Sequence, residues 1–435
     1  MSVDTIPEVV QVLEPAPPAQ RLPALDLLRG IAILGILPAN IPFFSGTISI
    51  FTMQSMPETG ADRAALFLTI VLVFGKFVTL LSILFGAGLA LQVWKARTEG
   101  QPFAGYYVRR MLILFIIGVA HGLFLWFGDI LSSYAIVALL ALLFTRFSQR
   151  LVLFTAAGCL LVVGTWLVLA LGVTLTTGAG LADLMPHPEV PPAAKESPDP
   201  AERMWADLGH CWQDHVTPEN QARIWRESSF WEMAFNRAVY LMQYIPQFWV
   251  ALVWYLLACF LIGVYLLRRE VFHDLEANRS FVRKLIGVGL LIGVPLQLIA
   301  GGFYLIWPGS GFHFTLPYTL GALPLALAYL GFGVLWSASG RLAWLQAALQ
   351  DVGRTALSNY ILQSILCNLI YYRWGLVLYG ELGHAANLGV VAGVWLVEIL
   401  LSVLWLRFFA MGPVEWLWRS LAEGRRQPMF RAAAC

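Results

Sequence analysis

A histidine between glycines, with an aspartate eight residues later, is the pattern in this sequence best suited to chemistry. His121 lies in the segment Gly118-Val119-Ala120-His121-Gly122, and Asp129 follows in a Gly-Asp turn. A helix would separate the two residues by about 12 Å, and a turn after it could fold the carboxylate back to the imidazole. A carboxylate that orients an imidazole is the arrangement of a general base. The alternative is a buried histidine bonded to a backbone carbonyl, with Asp129 capping the next helix.

A second polar group opens the first apolar segment. Asp26 and Arg29 are three residues apart, so they share one helix face. Asn40 follows eleven residues after Arg29 and returns to that face at another depth. The functional interpretation is an anion-binding arginine near the cytoplasm and a polar asparagine nearer the outer leaflet, along one pathway. The alternative is a capping pair at the helix start and a helix–helix hydrogen bond from Asn40.

Two further groups of polar residues lie within apolar segments. Lys76 could extend its ammonium group to the membrane interface, or it could face inward to neutralise Asp129 or bind an anionic substrate. Arg354 lies at the mouth of a later segment that contains Ser358, Asn359 and Gln363. Polar residues in such segments usually face the bundle interior, where they bond neighbouring helices or line a cavity.

The composition of the chain indicates which elements position these groups. Of 435 residues, 59% are hydrophobic and only 12% are charged. A soluble domain carries about 25% charged residues, so much of this surface must face lipid. The net charge of +2 gives no support for nucleic acid as a partner, and five cysteines without metal-ligand spacing predict no metal site. The composition therefore predicts an all-α membrane protein.

The apolar segments predict about ten transmembrane helices, since one span needs about 20 apolar residues. The second segment is too long for one span, so either its helix tilts and projects outward or residues 64–74 form a separate piece broken near Gly75. The predicted spans are 27–45, 70–94, 108–127, 130–146, 150–174, 245–267, 283–307, 316–338, 355–375 and 388–410.

Lysine and arginine concentrate in alternate loops, which predicts that both termini are cytoplasmic. One long loop then lies in the periplasm, and its residues 201–237 have the spacing of amphipathic helices. The predicted organisation comprises a disordered tail (1–24), a first membrane bundle (25–175), the periplasmic loop (176–240), a second membrane bundle (241–411) and a cytoplasmic interfacial tail (412–435).

The motifs at both ends of the chain resemble those of the YeiB-like family, bacterial membrane proteins of unassigned function. They are Leu25-Asp26-x-Leu28-Arg29-Gly30, Lys76-Phe77 with Gly86-x-Gly88, His121-Gly122 with Gly128-Asp129, Val352-Gly353-Arg354-x-Ala356-Leu357-x-Asn359-Tyr360, and Gly412-Pro413-x-Glu415-Trp416-x-Trp418-Arg419. The resemblance implies a multi-pass protein of the bacterial inner membrane, in contact with lipids. A homodimer is compatible with the sequence.

The family is distantly similar to a superfamily of transmembrane acyltransferases that includes heparan-alpha-glucosaminide N-acetyltransferase. This similarity implies transfer of an acyl group from cytoplasmic acyl-CoA or acetyl-CoA to a small-molecule or glycan acceptor. Arg29, with Asp26 and Arg354, would then hold the coenzyme A phosphates, and Asn40 would polarise the thioester carbonyl. Lys76, Ser358, Asn359 and Gln363 would contact substrate.

The superfamily motif does not supply the base, and our inference from the residues themselves assigns that role to His121, oriented by Asp129. Two other functions remain open at this point. The chain could transport or export a small organic anion or lipid precursor, with His121 and Asp129 as a proton relay. It could also be a structural or regulatory membrane protein whose buried polar groups only bond each other.

Overall fold

The computed structural model describes residues 22–48, 59–177, 218–247, 252–306 and 312–430. The secondary structure of these ranges is helical, with a single isolated β-bridge between Phe409 and Phe430. The helices are α1 (Pro23–Phe44), α2 (Gly60–Leu72), α3 (Lys76–Thr98), α4 (Ala104–Phe124), α5 (Leu131–Phe144), α6 (Gln149–Thr177), α7 (Pro218–Glu227), α8 (Phe230–Gln247), α9 (Val253–Arg268), α10 (Leu275–Ile306), α11 (Phe312–Ser339), α12 (Ala343–Arg354), α13 (Ala356–Tyr371), α14 (His384–Phe408) and α15 (Pro413–Glu423). The protein is an all-α membrane protein.

Seven helical segments of the described chain are long and apolar enough to cross a membrane. They are α1, α2 and α3 taken together, α4, α6, α10, α11 and α14. The shorter helices α5 and α9 have 14 and 16 residues, and α13 has 16. The outward faces of α6 and α10 expose leucines such as Leu161 and Leu291, as expected of surface in contact with lipid. The count of ten spans and their orientation stay predictions.

The overlong second segment is two helices, as one of the two alternatives predicted. α2 ends at Leu72 and α3 begins at Lys76, and Gly75 between them has φ +76°. A side chain at Gly75 would be strained by that φ and would meet the Tyr318 hydroxyl at 2.5 Å. The broken end of α2 leaves carbonyls without helical partners, and two of them accept bonds from Lys76 and Tyr329.

The central helix α1 is buried along most of its length, and it contacts α3, α11, α12, α13 and α14. It crosses α12 where both helices have a glycine. A Cβ atom at Gly30 would lie 2.0 Å from the Leu349 carbonyl oxygen, and one at Gly353 would lie 1.8 Å from that of Asp26. This close crossing brings Arg29 of α1 and Arg354 of α12 to the wall of the same cavity.

Helices of the two predicted membrane bundles contact each other. α1 contacts α12, and α3 contacts α9, where Gly86 and Gly263 let the backbones approach closely. Within the predicted periplasmic loop the structure describes α7 and the first part of α8, which fall in the range predicted to be amphipathic helix. Residues 1–21, 178–217 and 431–435, which include most of the predicted N-terminal tail, lie outside the described residues.

Candidate active site

Three side chains from three parts of the chain form one hydrogen-bonded row. His121 of α4 lies with Nδ1 3.0 Å from Asp129 Oδ1 and with Nε2 2.8 Å from the hydroxyl of Ser364 on α13. The side chains of His121 and Asp129 are each only 1% exposed, and Ser364 is 2% exposed. We assign the imidazole proton to Nδ1, where it is donated to Asp129, which leaves Nε2 as the acceptor for the Ser364 hydroxyl. The row therefore has the order carboxylate, imidazole, hydroxyl.

The turn between α4 and α5 fixes the carboxylate of this row. Asp129 Oδ2 accepts the backbone N–H of Ser132 at 2.8 Å, so the residue also caps the start of α5. The two predicted roles of Asp129, orienting the histidine and capping the next helix, thus occur together. Gly118, one turn before His121, leaves the space that the carboxylate occupies, since a Cβ atom there would lie 2.8 Å from Oδ2.

A cavity of about 410 Å³ lies beside this row, between α1, α3, α4, α5, α12, α13 and α15. Arg29, Arg110, Arg354 and Arg419 line one end, which the basic loops predict to be cytoplasmic. Apolar side chains such as Leu81, Phe85 and Leu114 line the remainder, together with Tyr134 and Tyr360. Such a cavity suits a ligand with an anionic head and an apolar or extended arm.

The acidic groups at the arginine end are fewer than the arginines. Asp26 Oδ1 lies 3.1 Å from Arg29 Nη1, which is the pair that the sequence predicts. Glu415 of α15 accepts hydrogen bonds from the Leu357 and Ser358 backbone N–H groups and from the Ser358 hydroxyl. Burial raises the pKa of the Glu415 carboxyl, although these donors oppose the shift. Arg354 Nη1 also lies 2.9 Å from Asp351 Oδ1, on the preceding turn of α12. Four arginines against these three acids leave this end of the cavity with a net positive charge.

Tyr360 connects the cavity to the buried row. Its ring lines the cavity and packs against the His121 ring, with the ring centroids 4.9 Å apart. Its hydroxyl oxygen accepts the Ile130 backbone N–H at 3.3 Å, close to the turn that carries Asp129. Ser364 follows Tyr360 by four residues, so it lies one turn further along the same face of α13. The imidazole is therefore separated from the cavity by one aromatic ring.

An outer aromatic cluster includes two residues of the turn between α4 and α5 that carries Asp129. Its members are Phe44, Trp126, Phe127, Trp225, Tyr240 and Tyr372. Three pairs stack within it, with ring centroids between 4.6 and 4.8 Å apart. Arg237 of α8, 1% exposed, lies over the Trp225 ring and donates to the Phe124 carbonyl at 3.0 Å and to Asn368 at 2.8 Å. Asn368 in turn donates to the Ser364 carbonyl, which ties α8 to the row.

Two of the predicted site residues lie away from the cavity wall. Asn40 is half-buried near the outer end of α1, seven residues or about 10 Å along the helix from the cavity residue Ile33. Lys76 is 0% exposed and donates to the Ile70 carbonyl at 2.6 Å and to Gln297. The recorded partners of the Asp129 carboxylate are His121 and Ser132, so Lys76 does not neutralise it in this structure.

The predicted polar residues of α13 bond neighbouring helices and do not line the cavity. Ser358 bonds Glu415, Asn359 donates to Ser402 of α14 at 2.9 Å, and Gln363 donates to the Ile33 carbonyl at 3.0 Å. Gln363 also donates to Glu398 of α14 at 3.1 Å. This geometry matches the helix–helix alternative for these residues, while Arg354 on the preceding helix does line the cavity.

Sequence reasoning missed Ser364, Tyr360, Arg110 and Arg419 as site residues. The sequence assigns Arg419 to an interfacial tail, but α15 packs on α4, and the Trp418 indole donates to the Arg110 carbonyl at 2.8 Å. The Arg110 guanidinium also lies 4.1 Å from the centroid of the Trp418 ring. The alternation of tryptophan and arginine in this tail was the available signal, since such a pattern suits cation–π docking as well as membrane anchoring.

Comparison with known proteins places this architecture among relatives without an assigned activity. Residues 266–425 match a family described as "Protein of unknown function (DUF418)". The uncharacterized protein YeiB of Escherichia coli is 30% identical over 409 residues, which cover 92% of this chain and 96% of that protein. The uncharacterized protein YxaH of Bacillus subtilis is 29% identical over 425 residues, which cover 96% and 98%. No solved structure matches this chain.

Proposed function

Because the chain belongs to the YeiB-like family of membrane proteins, whose activity is unassigned, we propose a function from the chemistry of its own site. The protein is a membrane acyltransferase that takes an acyl group from acyl-coenzyme A on the cytoplasmic side. It delivers this group to a hydroxyl or amine of a small-molecule or glycan acceptor in the membrane or periplasm. The membrane concerned is the bacterial inner membrane.

One observation carries this proposal: a cavity with four arginines at one end reaches Tyr360, which packs directly on the imidazole of the Asp129–His121 pair. Guanidinium groups bind phosphates through paired hydrogen bonds, so Arg29, Arg110, Arg354 and Arg419 suit the phosphates of coenzyme A. In this proposal the apolar wall accommodates the arm that carries the thioester, with the acyl group at the end nearest the imidazole.

The Asp129–His121 pair supplies a base at that end. Asp129 holds the imidazole in the tautomer whose Nε2 can accept a proton and stabilises the imidazolium that forms. In the overall transfer the acceptor oxygen or nitrogen bonds the carbonyl carbon, the carbon–sulfur bond breaks, and coenzyme A leaves with the proton taken by His121. Asn40 is not retained as the donor to the thioester carbonyl, because it lies beyond the cavity.

Release of the coenzyme A thiol from acetyl-CoA by purified protein in lipid nanodiscs tests the proposal. We expect Arg29→Gln and Arg354→Gln to raise KM about tenfold each, since each removes a charge-assisted contact. We expect His121→Gln to lower kcat about 100-fold with little change in KM. Arg341→Gln is the matched control, because Arg341 is exposed and does not line the cavity. Absence of thiol release above that of empty nanodiscs contradicts the proposal.

A second function, transport of a small organic anion, is favoured by one observation. A cavity with four arginines would hold an organic anion, and none of the residues of the outer aromatic cluster lines it, as expected of a transporter whose outer side is closed. Uptake of an anionic substrate into proteoliposomes, driven by a pH gradient, would support transport. Acyl transfer without such uptake would support the first proposal.

A further inference from the structure

The base of the buried row is already bonded to a hydroxyl of the protein. His121 Nε2 lies 2.8 Å from Ser364 Oγ, so the group that it can deprotonate in this structure is Ser364 itself. A carboxylate, an imidazole and a serine hydroxyl in this order are the parts of an activated serine nucleophile. From this geometry we infer that Ser364 is the residue that first receives the acyl group, as a serine ester. This inference rests on the proposed function for its acyl donor.

The hydroxyl of Ser364 differs from three other buried hydroxyls on the helices of this protein. Thr69, Thr79 and Ser82 each donate to the backbone carbonyl four residues earlier, at 2.6 to 2.8 Å. That internal bond is the usual arrangement of helical serine and threonine. The recorded partner of the Ser364 hydroxyl is His121, on another helix and 243 residues away in the chain. Its proton is therefore directed at the imidazole and not at its own helix.

The surrounding contacts hold the row in register. The Asn368 amide donates to the Ser364 carbonyl at 2.6 Å and to the Leu125 carbonyl at 2.9 Å, which joins α13 to the end of α4. Asp129 is fixed by the Ser132 N–H at 2.8 Å. Both ends of the row are thus anchored to backbone, as positioning of a nucleophile and its base requires. The site is also screened from water, which protects a serine ester from hydrolysis.

Access to Ser364 depends on Tyr360. Ser364 is buried, and Tyr360, one turn earlier on the same helix face, is the cavity residue that stands before it. Rotation of the Tyr360 ring away from His121 would extend the cavity to the serine. The Tyr360 hydroxyl is held by a single bond of 3.3 Å from the Ile130 N–H and by a marginal contact of 3.5 Å with the Gly128 carbonyl. We assign Tyr360 as the lid of the serine.

The two half-reactions balance in atoms and charge. In the first, Ser364 Oγ bonds the thioester carbonyl carbon and gives its proton to His121 Nε2. The carbon–sulfur bond then breaks, and the sulfur leaves with that proton as the free thiol. In the second, an acceptor hydroxyl or amine gives its proton to His121 and bonds the same carbon. The bond from that carbon to Ser364 Oγ breaks, and the serine recovers the proton.

A fluorophosphonate probe tests the serine without any assumption about the acyl donor. Purified protein in lipid nanodiscs is treated with the probe, and the adduct is located by mass spectrometry. We expect the adduct on Ser364, its loss in Ser364→Ala, and a rate lowered about 100-fold in His121→Gln. Ser402→Ala is the matched control, because Ser402 is equally buried on a helix and bonds Thr355 and Asn359. That variant should be labelled at the rate of the original protein.

A cysteine variant keeps the test decisive if the alanine variant does not fold. In Ser364→Cys the imidazole should activate the new thiol, so iodoacetamide should alkylate it about tenfold faster than in the double variant with His121→Gln. No adduct on Ser364, together with equal alkylation rates in the single and double variants, overturns the inference. An adduct on Ser364 without turnover of acetyl-CoA supports Ser364 as an activated nucleophile and refutes acetyl-CoA as its acyl donor. Turnover of acetyl-CoA by Ser364→Ala refutes the serine ester on Ser364 and supports the proposed acyl transfer without it.

Discussion

Gly118 of α4 faces the carboxylate of Asp129 so closely that a Cβ atom on the glycine would lie 2.8 Å from Oδ2. The same atom would lie 2.4 Å from the Ser132 backbone nitrogen, which is the donor that holds this carboxylate. The glycine thus makes room both for the turn and for the acid that orients His121. Space on one helix therefore decides whether the row of Asp129, His121 and Ser364 can form.

Gly118→Ala is expected to destabilise the protein by about 1 to 3 kcal/mol, because the extra methyl group overpacks the hairpin between α4 and α5. It should also remove fluorophosphonate labelling of Ser364, since the displaced carboxylate no longer orients the imidazole. Gly158→Ala is the control, because a Cβ atom there meets nothing within 4 Å. Thermal unfolding in detergent and the labelling rate measure the two effects. Full labelling of Gly118→Ala would contradict this account of the row.

Lys76→Met is expected to lower stability while leaving coenzyme A binding unchanged. The ammonium group satisfies the Ile70 carbonyl at the broken end of α2 and the Gln297 amide oxygen. Its removal leaves these buried acceptors without a donor, at a cost of about 1 to 3 kcal/mol. Thermal unfolding and the coenzyme A dissociation constant separate the two roles. A stable variant with weakened coenzyme A binding would instead favour the substrate contact that the sequence suggested for Lys76.

Arg237→Lys is expected to loosen α8, although the substitution keeps the positive charge. Burial lowers the pKa of the Arg237 guanidinium to about 10, so the group stays charged at neutral pH. The guanidinium donates to the Phe124 carbonyl and to Asn368 from two different nitrogens, and it lies over the Trp225 ring. The ammonium group of a lysine cannot make all three contacts at once. Hydrogen exchange in α8 should rise relative to Arg223→Lys, an exposed control on α7. Equal exchange in both variants would contradict this role.

Docking of α15 is expected to weaken as the pH rises. Burial raises the pKa of Glu415 above its ordinary value of 4.5, so the folded chain holds this proton more tightly than the unfolded chain. The stability that the folded chain gains from this tighter proton binding is fully present below pH 4.5. It is lost as the pH rises through the raised pKa of Glu415. Trypsin cleavage after the exposed Arg425 should therefore become faster with pH, relative to an unstructured reference peptide. In Glu415→Gln, which cannot titrate there, this pH dependence should disappear.

Contacts within one or two helical turns were predictable from the sequence. The Asp26–Arg29 pair follows from a spacing of three residues, and the break before Lys76 follows from an apolar run too long for one span with a glycine inside it. The pairing of His121 with Asp129 was available as one of two alternatives, because a turn eight residues after a helical position can return to it. In each case the partners are close in the chain, so helix geometry limits where they can lie.

The position of Asn40 relative to the cavity was not predictable from helix periodicity. Helix periodicity put Asn40 on the same face as Arg29, but periodicity gives direction around a helix and does not say how far along it a cavity extends. The residues of α1 that line the cavity run from Leu25 to Ile33, and Asn40 is not among them. Likewise, polar residues of α13 that share one face could line a cavity or bond a helix, and only the position of α14 and α15 decides between these.

The sequence alone determined that the protein is a helical membrane protein, since too few charged residues are present to cover a surface in water. It also determined the local pairs that one helix or one turn can form. The tertiary structure decided that Ser364 completes the row with His121, that Tyr360 stands between this row and the cavity, and that Arg110 and Arg419 join Arg29 and Arg354. These partners are far apart in the chain, 243 residues in the case of His121 and Ser364. They meet only through helix crossings that glycines permit. The hydrophobic periodicity of a sequence indicates the faces of a helix but not where two helices cross.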